Sequence, residues 1–262
     1  MKRFIALCVA RPRMVTAIMV VITMTIGLLA ALPSLWPQTF RALHAVQVDT
    51  DPENMLPADE PVRVFHNLMK RKLSLADMIV LGVVNEAHPE GVFNPASLRK
   101  IYELAAYART LHWPDPEHPE RQRGVIAVDV IAPSTVDNIE QAGLGVVRFE
   151  WLMPTPPTTE EEALAIRRKA ERLPFLKGTM LSEDGKAIAL YLPLTSKDVS
   201  YKVATKLREK IATFKGTERY FITGLPVAED TFGVEMFKQM AISAPLAMLV
   251  IFALMLVFFR KL

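Results

Sequence analysis

A single cysteine, Cys8, occurs in 262 residues, so no disulfide can close within one chain and no cysteine-based zinc or iron–sulfur site can assemble from it alone. Histidine is sparse as well. His44, His66, His88, His112 and His118 are scattered, and no pair has the i, i+4 spacing with a glutamate that a helical zinc site requires. Gly143-Leu144-Gly145 lacks the third glycine and the spacing of a dinucleotide loop and reads as a turn, while Gly185-Lys186 lacks the upstream glycine of a phosphate loop. No Gly-x-Ser-x-Gly elbow is present. These absences predict no catalytic residue, no metal site and no cofactor, and the chain reads as a non-enzyme. Negative charge is missing from both ends. Residues 1–32 and 241–262 contain no Asp or Glu but carry Lys2, Arg3, Arg11, Arg13, Arg260 and Lys261. Residues 33–240 then hold 25 basic against all 28 acidic side chains, a net −3, so the overall +3 averages two unlike regions. A net-acidic centre without basic residues interleaved with aromatics excludes nucleic acid as a partner.

What the ends do contain is long apolar sequence. Met14 to Leu32 (MVTAIMVVITMTIGLLAAL) and Ala241 to Phe259 (AISAPLAMLVIFALMLVFF) are each nineteen residues without an ionisable side chain, about the length that crosses a bilayer core as a helix. A soluble helix would show a polar face at 3.6-residue spacing, and here only Thr16, Thr23, Thr25 and Ser243 interrupt the two runs. Nineteen residues is long for a signal-peptide core and no A-x-A site precedes Pro33, which favours a retained anchor over a cleaved signal. Basic residues flank the outer end of each run, so the positive-inside rule places both termini in the cytoplasm and residues 33–240 outside it. The resulting organisation is a cytoplasmic segment 1–13, transmembrane helix 14–32, extracytoplasmic domain 33–240, transmembrane helix 241–259 and cytoplasmic end 260–262. Neither run carries the intramembrane ionisable residues that relay protons, so this chain alone cannot be a proton-driven pump.

Between the runs, Pro33, Pro37, Pro52 and Pro57 predict an irregular lead-in. Val64, Phe65, Leu68, Met69 and Leu73 have helical spacing over Glu60 to Leu73, and Met78 to Val84 reads as a buried strand. Asn94 and Pro95 mark the N-cap and first position of a helix presenting Leu98, Ile101, Ala105, Ala108 and Leu111 on one face. His112 to Arg123 reads as a loop and Val125 to Ile131 as a strand. Thr158 and Thr159 each stand three residues before a glutamate, a capping-box spacing that starts a helix ending before Pro174. Thr179 to Ser182 and Lys186 to Leu192 read as a hairpin across Glu183, Asp184 and Gly185. Val199, Val203, Leu207, Ile211 and Phe214 mark a further helix ended by Gly216, and Tyr220 to Thr223 is the last strand. The interleaved order, βαβ then αββαβ, predicts an α+β fold of the split-βαβ (ferredoxin-like) kind. Glu160, Glu161 and Glu162 read as helix-start acids that favour the macrodipole, and Lys70, Arg71 and Lys72 as cations at a helix end.

Several segments together resemble one family. They are Arg11-Pro12-Arg13 ahead of the first span; Asp51, Asn54, Leu56, Pro57, Asp59 and Pro61 within DPENMLPADEP; PTPPTTEEEALAIRRKAERLPFLKGTMLSEDGKAIALYLPL; and TGLPVAEDTFGVEMFKQMAISAPLAMLVIFALMLVFFRK. These resemble the start of RND-superfamily exporters of the MMPL-like type. The resemblance implies a first transmembrane helix, a periplasmic porter domain and a second transmembrane helix in a bacterial inner membrane. It implies a domain that handles hydrophobic or lipid-like cargo, with proton coupling on helices beyond this chain. The partners it implies are the lipid bilayer, the cargo, and the remaining transporter helices or a homo-oligomer. On this reading the chain is an N-terminal portion of a longer transporter. The candidate site residues are the motif positions Asn54, Leu56, Pro57, Asp59, Pro61, Gly224, Pro226, Asp230 and Pro245. Gly224 and Pro226 sit where the domain meets the second span, and replacing both is expected to weaken transport without unfolding the domain. The competing classes are a two-span extracytoplasmic receptor, which needs an output domain where only Arg260, Lys261 and Leu262 follow, and an accessory membrane subunit.

Overall fold

The computed structural model describes residues 10–35, 52–115, 118–143 and 145–259. Contacts divide the chain into Met1–Asp49 and Thr50–Leu262. The first unit contributes helix α1, Pro12–Leu35, 24 residues long and roughly 36 Å from end to end. The hydroxyls of Thr16 and Thr25 bond back to the helix, donating to the carbonyls of Pro12 (3.0 Å) and Val21 (2.8 Å). Such back-bonding satisfies these polar side chains within the helix itself.

The second unit is built on strand β1, Asp77–Val84, which pairs antiparallel on both sides. With β6 (Ala187–Leu194) and β7 (Arg219–Thr223) it forms a three-stranded sheet in the order β6-β1-β7. Period-two alternation sends Ile79, Leu81 and Val83 to one face, where all three are fully buried. The same face receives Ile188, Leu190, Leu192 and Leu194 of β6. Helix α3, Pro95–Ala108, adds Leu98, Ile101, Leu104, Ala105 and Ala108 to that core, and α5, Ser200–Ile211, adds Val203, Ala204 and Leu207. Helix α4, Glu160–Glu171, contributes Ala163 and Ala170.

Local chemistry starts α3 and α4 where the sequence pattern places them. Asn94 accepts from Ser97 N (2.9 Å) with Pro95 at the first position of α3. Thr159 and Glu162 close a reciprocal capping box on α4. The last element, α6, runs unbroken from Leu225 to Phe259, 35 residues including Pro245, and its first bond is Ala228 N to Gly224 O (3.0 Å). Gly224 has φ +125°, and a Cβ there would collide with Met78 O of β1, so only glycine fits between β7 and α6.

At the far end of the sheet a polar cluster ties three segments together. Ser97 Oγ donates to Glu218 Oε1 (2.8 Å), Lys100 Nζ donates to Glu218 Oε2 (2.6 Å), and Asn85 Nδ2 donates to Ser97 Oγ (3.0 Å). Burial works against the ionised form of Glu218, but the bonds from Lys100 and Ser97 outweigh it and hold its carboxyl below the usual range. Burial, together with the neighbouring Glu218 charge, pushes the Tyr220 phenol up to about 12.

Several sequence expectations are corrected. Pro33 lies inside α1 rather than in a lead-in, since the helix continues to Leu35. Helix α2, Pro61–Lys72, forms as expected but buries no residue, so its apolar stripe is not a core face. The 112–123 segment is more than a loop: His112–Pro114 (β2) pairs with Gln122–Gly124 (β3). Val125 to Ile131 makes only two antiparallel bridges to β6, at Leu194 and Tyr191, because the chain turns between them with Asp129 N donating to Ile126 O (3.1 Å). Thr179 to Ser182 likewise makes bridges only, through Leu181. A hairpin the pattern did not announce, β4 (Asp137–Gly143) with β5 (Val146–Trp151), stands apart from the main sheet. Lys2, Arg3, Cys8, Pro37, His44, Asp51, Leu144, Arg260, Lys261 and Leu262 lie outside the described residues.

Leu81 makes the sharpest test of this core. Leu81→Ala is expected to lower the unfolding free energy by about 3 kcal/mol, the range for a buried leucine truncated in a packed interior. Val128→Ala, at a position 85% exposed, should stay within about 0.5 kcal/mol of wild type in the same urea titration of the detergent-solubilised chain.

Candidate functional site

Asn54, Leu56, Gly224, Pro226 and Asp230 lie on segments that meet around the start of α6, whereas Pro245 does not. A 3-10 turn, Pro52–Met55, is followed by α2, and Arg63 of that helix reaches back across it. Arg63 Nη1 donates to Leu56 O and Nη2 to Asn54 Oδ1, each at 2.6 Å. Two of the motif residues, Asn54 and Leu56, are thereby held by one guanidinium whose planar fork suits a carbonyl and an amide oxygen at once. Pro57 O accepts from Glu60 N (3.1 Å), Asp59 lies in the intervening turn, and Pro61 opens α2, where its missing N–H costs nothing.

A second cation links this turn to α6. Lys197, in the short 3-10 turn Lys197–Val199 before α5, lies 3.1 Å from Glu53 Oε1 and 3.4 Å from Glu229 Oε2. Its side chain is 16% exposed and that of Glu229 11%. Charges removed this far from water need close opposite partners, and Lys197 has one on each side. One residue further along α6, the Asp230 carboxylate accepts a hydrogen bond from Oγ of the fully buried Ser200, at the start of α5. Burial raises the Asp230 carboxyl above its ordinary value; Ser200 and the Tyr201 backbone work in the opposite direction, and the Asp198 charge adds to the rise. Asp198 itself is gripped by Arg123 Nη2 at 2.6 Å.

Asn54, Leu56 and Asp230 thus belong to one connected cluster, reached through Glu53, Lys197 and Glu229. Gly224 and Pro226 form the corner from which α6 departs, with Pro226 in the first turn, where no N–H is needed. The close approach of Gly224 to Met78 corrects the expectation that its replacement leaves the domain folded: any side chain there presses on the central strand. Pro245 stands apart, fifteen residues beyond Asp230 and so roughly 22 Å further along the helix axis. Arg63, Lys197 and Ser200 are the residues sequence reasoning missed. A lone lysine or serine near a helix start carries no pattern, and its partners lie 144 and 30 residues away.

The arrangement ties the 52–63 segment, the start of α5 and the first turns of α6 together. Among the described residues no group of three or more His, Cys, Asp or Glu is placed to hold a metal ion. Of the described histidines, His66 lies 3.7 Å from Glu53, His118 lies 3.5 Å from Glu120, and His88 Nδ1 accepts from Glu90 N. Lys197 and Ser200 are the side chains through which the 197–200 segment contacts Glu229 and Asp230 in the first turns of α6.

The sign of the Asp230 effect follows from its raised pKa. The folded state holds the Asp230 proton more firmly than the unfolded chain does, so this group's contribution to stability is present at acid pH. That contribution is lost as pH rises through the folded value. Asp230→Asn, which keeps an acceptor for Ser200, is expected to remove this loss. Its melting temperature should match or exceed wild type at pH 7 and converge with it on acidification, as followed by circular dichroism.

Compared with known proteins, the chain matches no family model and no curated protein.

Proposed function

We propose that this chain is the N-terminal part of a membrane exporter resembling the RND superfamily, MMPL-like type, and not an enzyme. In this reading α1 and the lower part of α6 are transmembrane helices of a bacterial inner membrane, with both termini cytoplasmic. Residues between them form a periplasmic porter domain that handles hydrophobic or lipid-like cargo. The observation that carries the proposal is the continuity of α6. Its 35 residues pass without interruption from the sheet, at Gly224, into the uncharged run 241–259. That is roughly 52 Å of helix, enough to span a bilayer core and leave about 24 Å above it.

A rigid strut of this kind turns a shift within the membrane into a shift of the sheet. Pro245, which cannot donate to the carbonyl four residues earlier, supplies a point of bending inside the apolar part. Lys197 and Ser200 fasten the upper turns to the domain. The sheet order supports the porter reading. β6 pairs antiparallel with β1 and makes two antiparallel bridges to the 125–131 segment that follows α3, an order that favours the split-βαβ reading. Proton coupling belongs to helices outside this chain, because 14–32 and 241–259 offer no titratable group.

Transport measured on the full-length protein tests the reading. With membrane insertion intact, Lys197→Ala is expected to reduce export of a lipophilic substrate several-fold, and Lys197→Arg should restore part of it. Export that is unchanged in Lys197→Ala overturns the coupling role. Absence of any export by the wild-type protein, with a signalling output controlled from outside, would favour the two-span receptor.

A further inference from the structure

The hairpin β4–β5 is attached to its own unit by charge and not by apolar packing. Strand alternation puts Asn138 and Glu140 of β4 and Arg148 and Glu150 of β5 on one face, and Ile139, Val147, Phe149 and Trp151 on the other. The polar face is the one that meets α4. Lys169 Nζ donates to Glu150 Oε1 (2.6 Å), and Nη2 of Arg172, just past the helix end, donates to Glu140 Oε1 (2.5 Å). Among the described residues of 137–151 only Asn138 is buried, and those four apolar side chains are all exposed. The two strands pair with each other and with no strand of the main sheet. The root of the hairpin is held differently. Leu152 and Met153, directly after β5, are buried in the core, and their N–H groups donate to Val136 O (2.8 Å) and Pro133 O (2.9 Å). The ribbon is therefore an arm with a fixed root and a shaft fastened at two points.

We infer that the shaft is a latched strap: it docks on α4 through the Lys169–Glu150 and Arg172–Glu140 pairs and comes free when salt screens those pairs or acid neutralises them, while the core beneath stays folded. Both pairs remain in touch with water, Lys169 and Glu150 being 28% and 29% exposed and Arg172 63%. Ion pairs in that setting contribute little and weaken as ionic strength rises, so docking stands near balance. A two-stranded ribbon without packing support is marginal, and undocking loosens the ladder between β4 and β5 as well. Segments with few buried apolar contacts open locally, well before the domain unfolds.

The acid response has a defined sign. The Asn138 amide beside Glu140, followed by the charges of Arg172 and Lys169, outweighs burial and the neighbouring Glu150 and holds the Glu140 carboxyl below its ordinary value. The bond from Lys169, with the charges of Lys169 and Arg148 and the Asn138 amide, does the same for Glu150 against burial. Carboxyls lowered in this way favour the docked arm above their ordinary values, and that contribution is lost as pH falls through the docked ones.

The latch lies within the second unit and does not depend on α6 being a span. Hydrogen–deuterium exchange on the detergent-solubilised full chain, read by mass spectrometry on peptides covering 137–151 and 77–84, tests it. Raising NaCl from about 0.1 M to about 1 M shortens the screening length from about 10 Å to about 3 Å. The ribbon amides are expected to exchange several-fold faster at the higher salt, and those of β1 at an unchanged rate. Lys169→Gln/Arg172→Gln should exchange fast at both salt concentrations. Lowering the pH from about 7 to about 4, with intrinsic exchange corrected for, should free the ribbon in wild type and change nothing in Glu140→Gln/Glu150→Gln, where it is already free. Wild-type ribbon exchange that ignores salt, a salt response that survives in Lys169→Gln/Arg172→Gln, or β1 accelerating in step with the ribbon overturns the proposal. Where circular dichroism shows that a double variant does not fold, the wild-type salt and acid responses decide.

Discussion

The packed core of the second unit depends on β1 being paired along both edges. β6 and β7 enter the chain more than one hundred residues after β1, yet each aligns antiparallel to it, so the strand closest to the N-terminal side of the domain becomes the middle of the sheet. Two consequences follow from this one constraint. Ile79, Leu81 and Val83 lose all contact with solvent and become the floor on which α3 and α5 pack. Then β7, held against β1, delivers the chain to Gly224 at the Met78 carbonyl, and the direction of α6 is set by that close approach.

Charge is distributed to reinforce the same frame. Among the described residues the two least exposed ion pairs sit at opposite ends of the sheet, Lys100 with Glu218 at one and Lys197 with Glu229 at the other. Each pair joins a helical segment to one distant in sequence. Buried pairs of this sort add little net stability over an apolar replacement, but they punish any arrangement that separates the partners. That property suits the junction at which the sheet gives way to α6. Asp230, whose burial opposes its ionisation, shows that the joint is crowded enough to disfavour the charge it contains.

The sequence pattern was legible wherever a local interaction decides the outcome. Asn94, Pro95, Thr159 and Glu162 start helices through bonds within three residues, and those helices begin within a residue of the expected positions. Val125 to Ile131 misled because its β-branched residues favour a strand, while a turn at Ala127–Asp129 limits it to two bridges with β6. The β4–β5 ribbon was missed for a related reason. Its alternation is genuine, but the apolar set faces outward and the polar set inward, the reverse of what an isolated domain leads one to expect.

By itself the sequence determined the two uncharged runs, their basic flanks, the helix caps and the glycine at the β7–α6 corner, because composition and short-range bonding suffice for each. Tertiary structure alone decided that α2 would bury nothing, that Arg63 would hold Asn54 and Leu56, and that Lys197 would join Glu53 to Glu229. Those outcomes depend on side chains far apart along the chain meeting at one place, and pairing over such separations leaves no periodicity for a sequence to display.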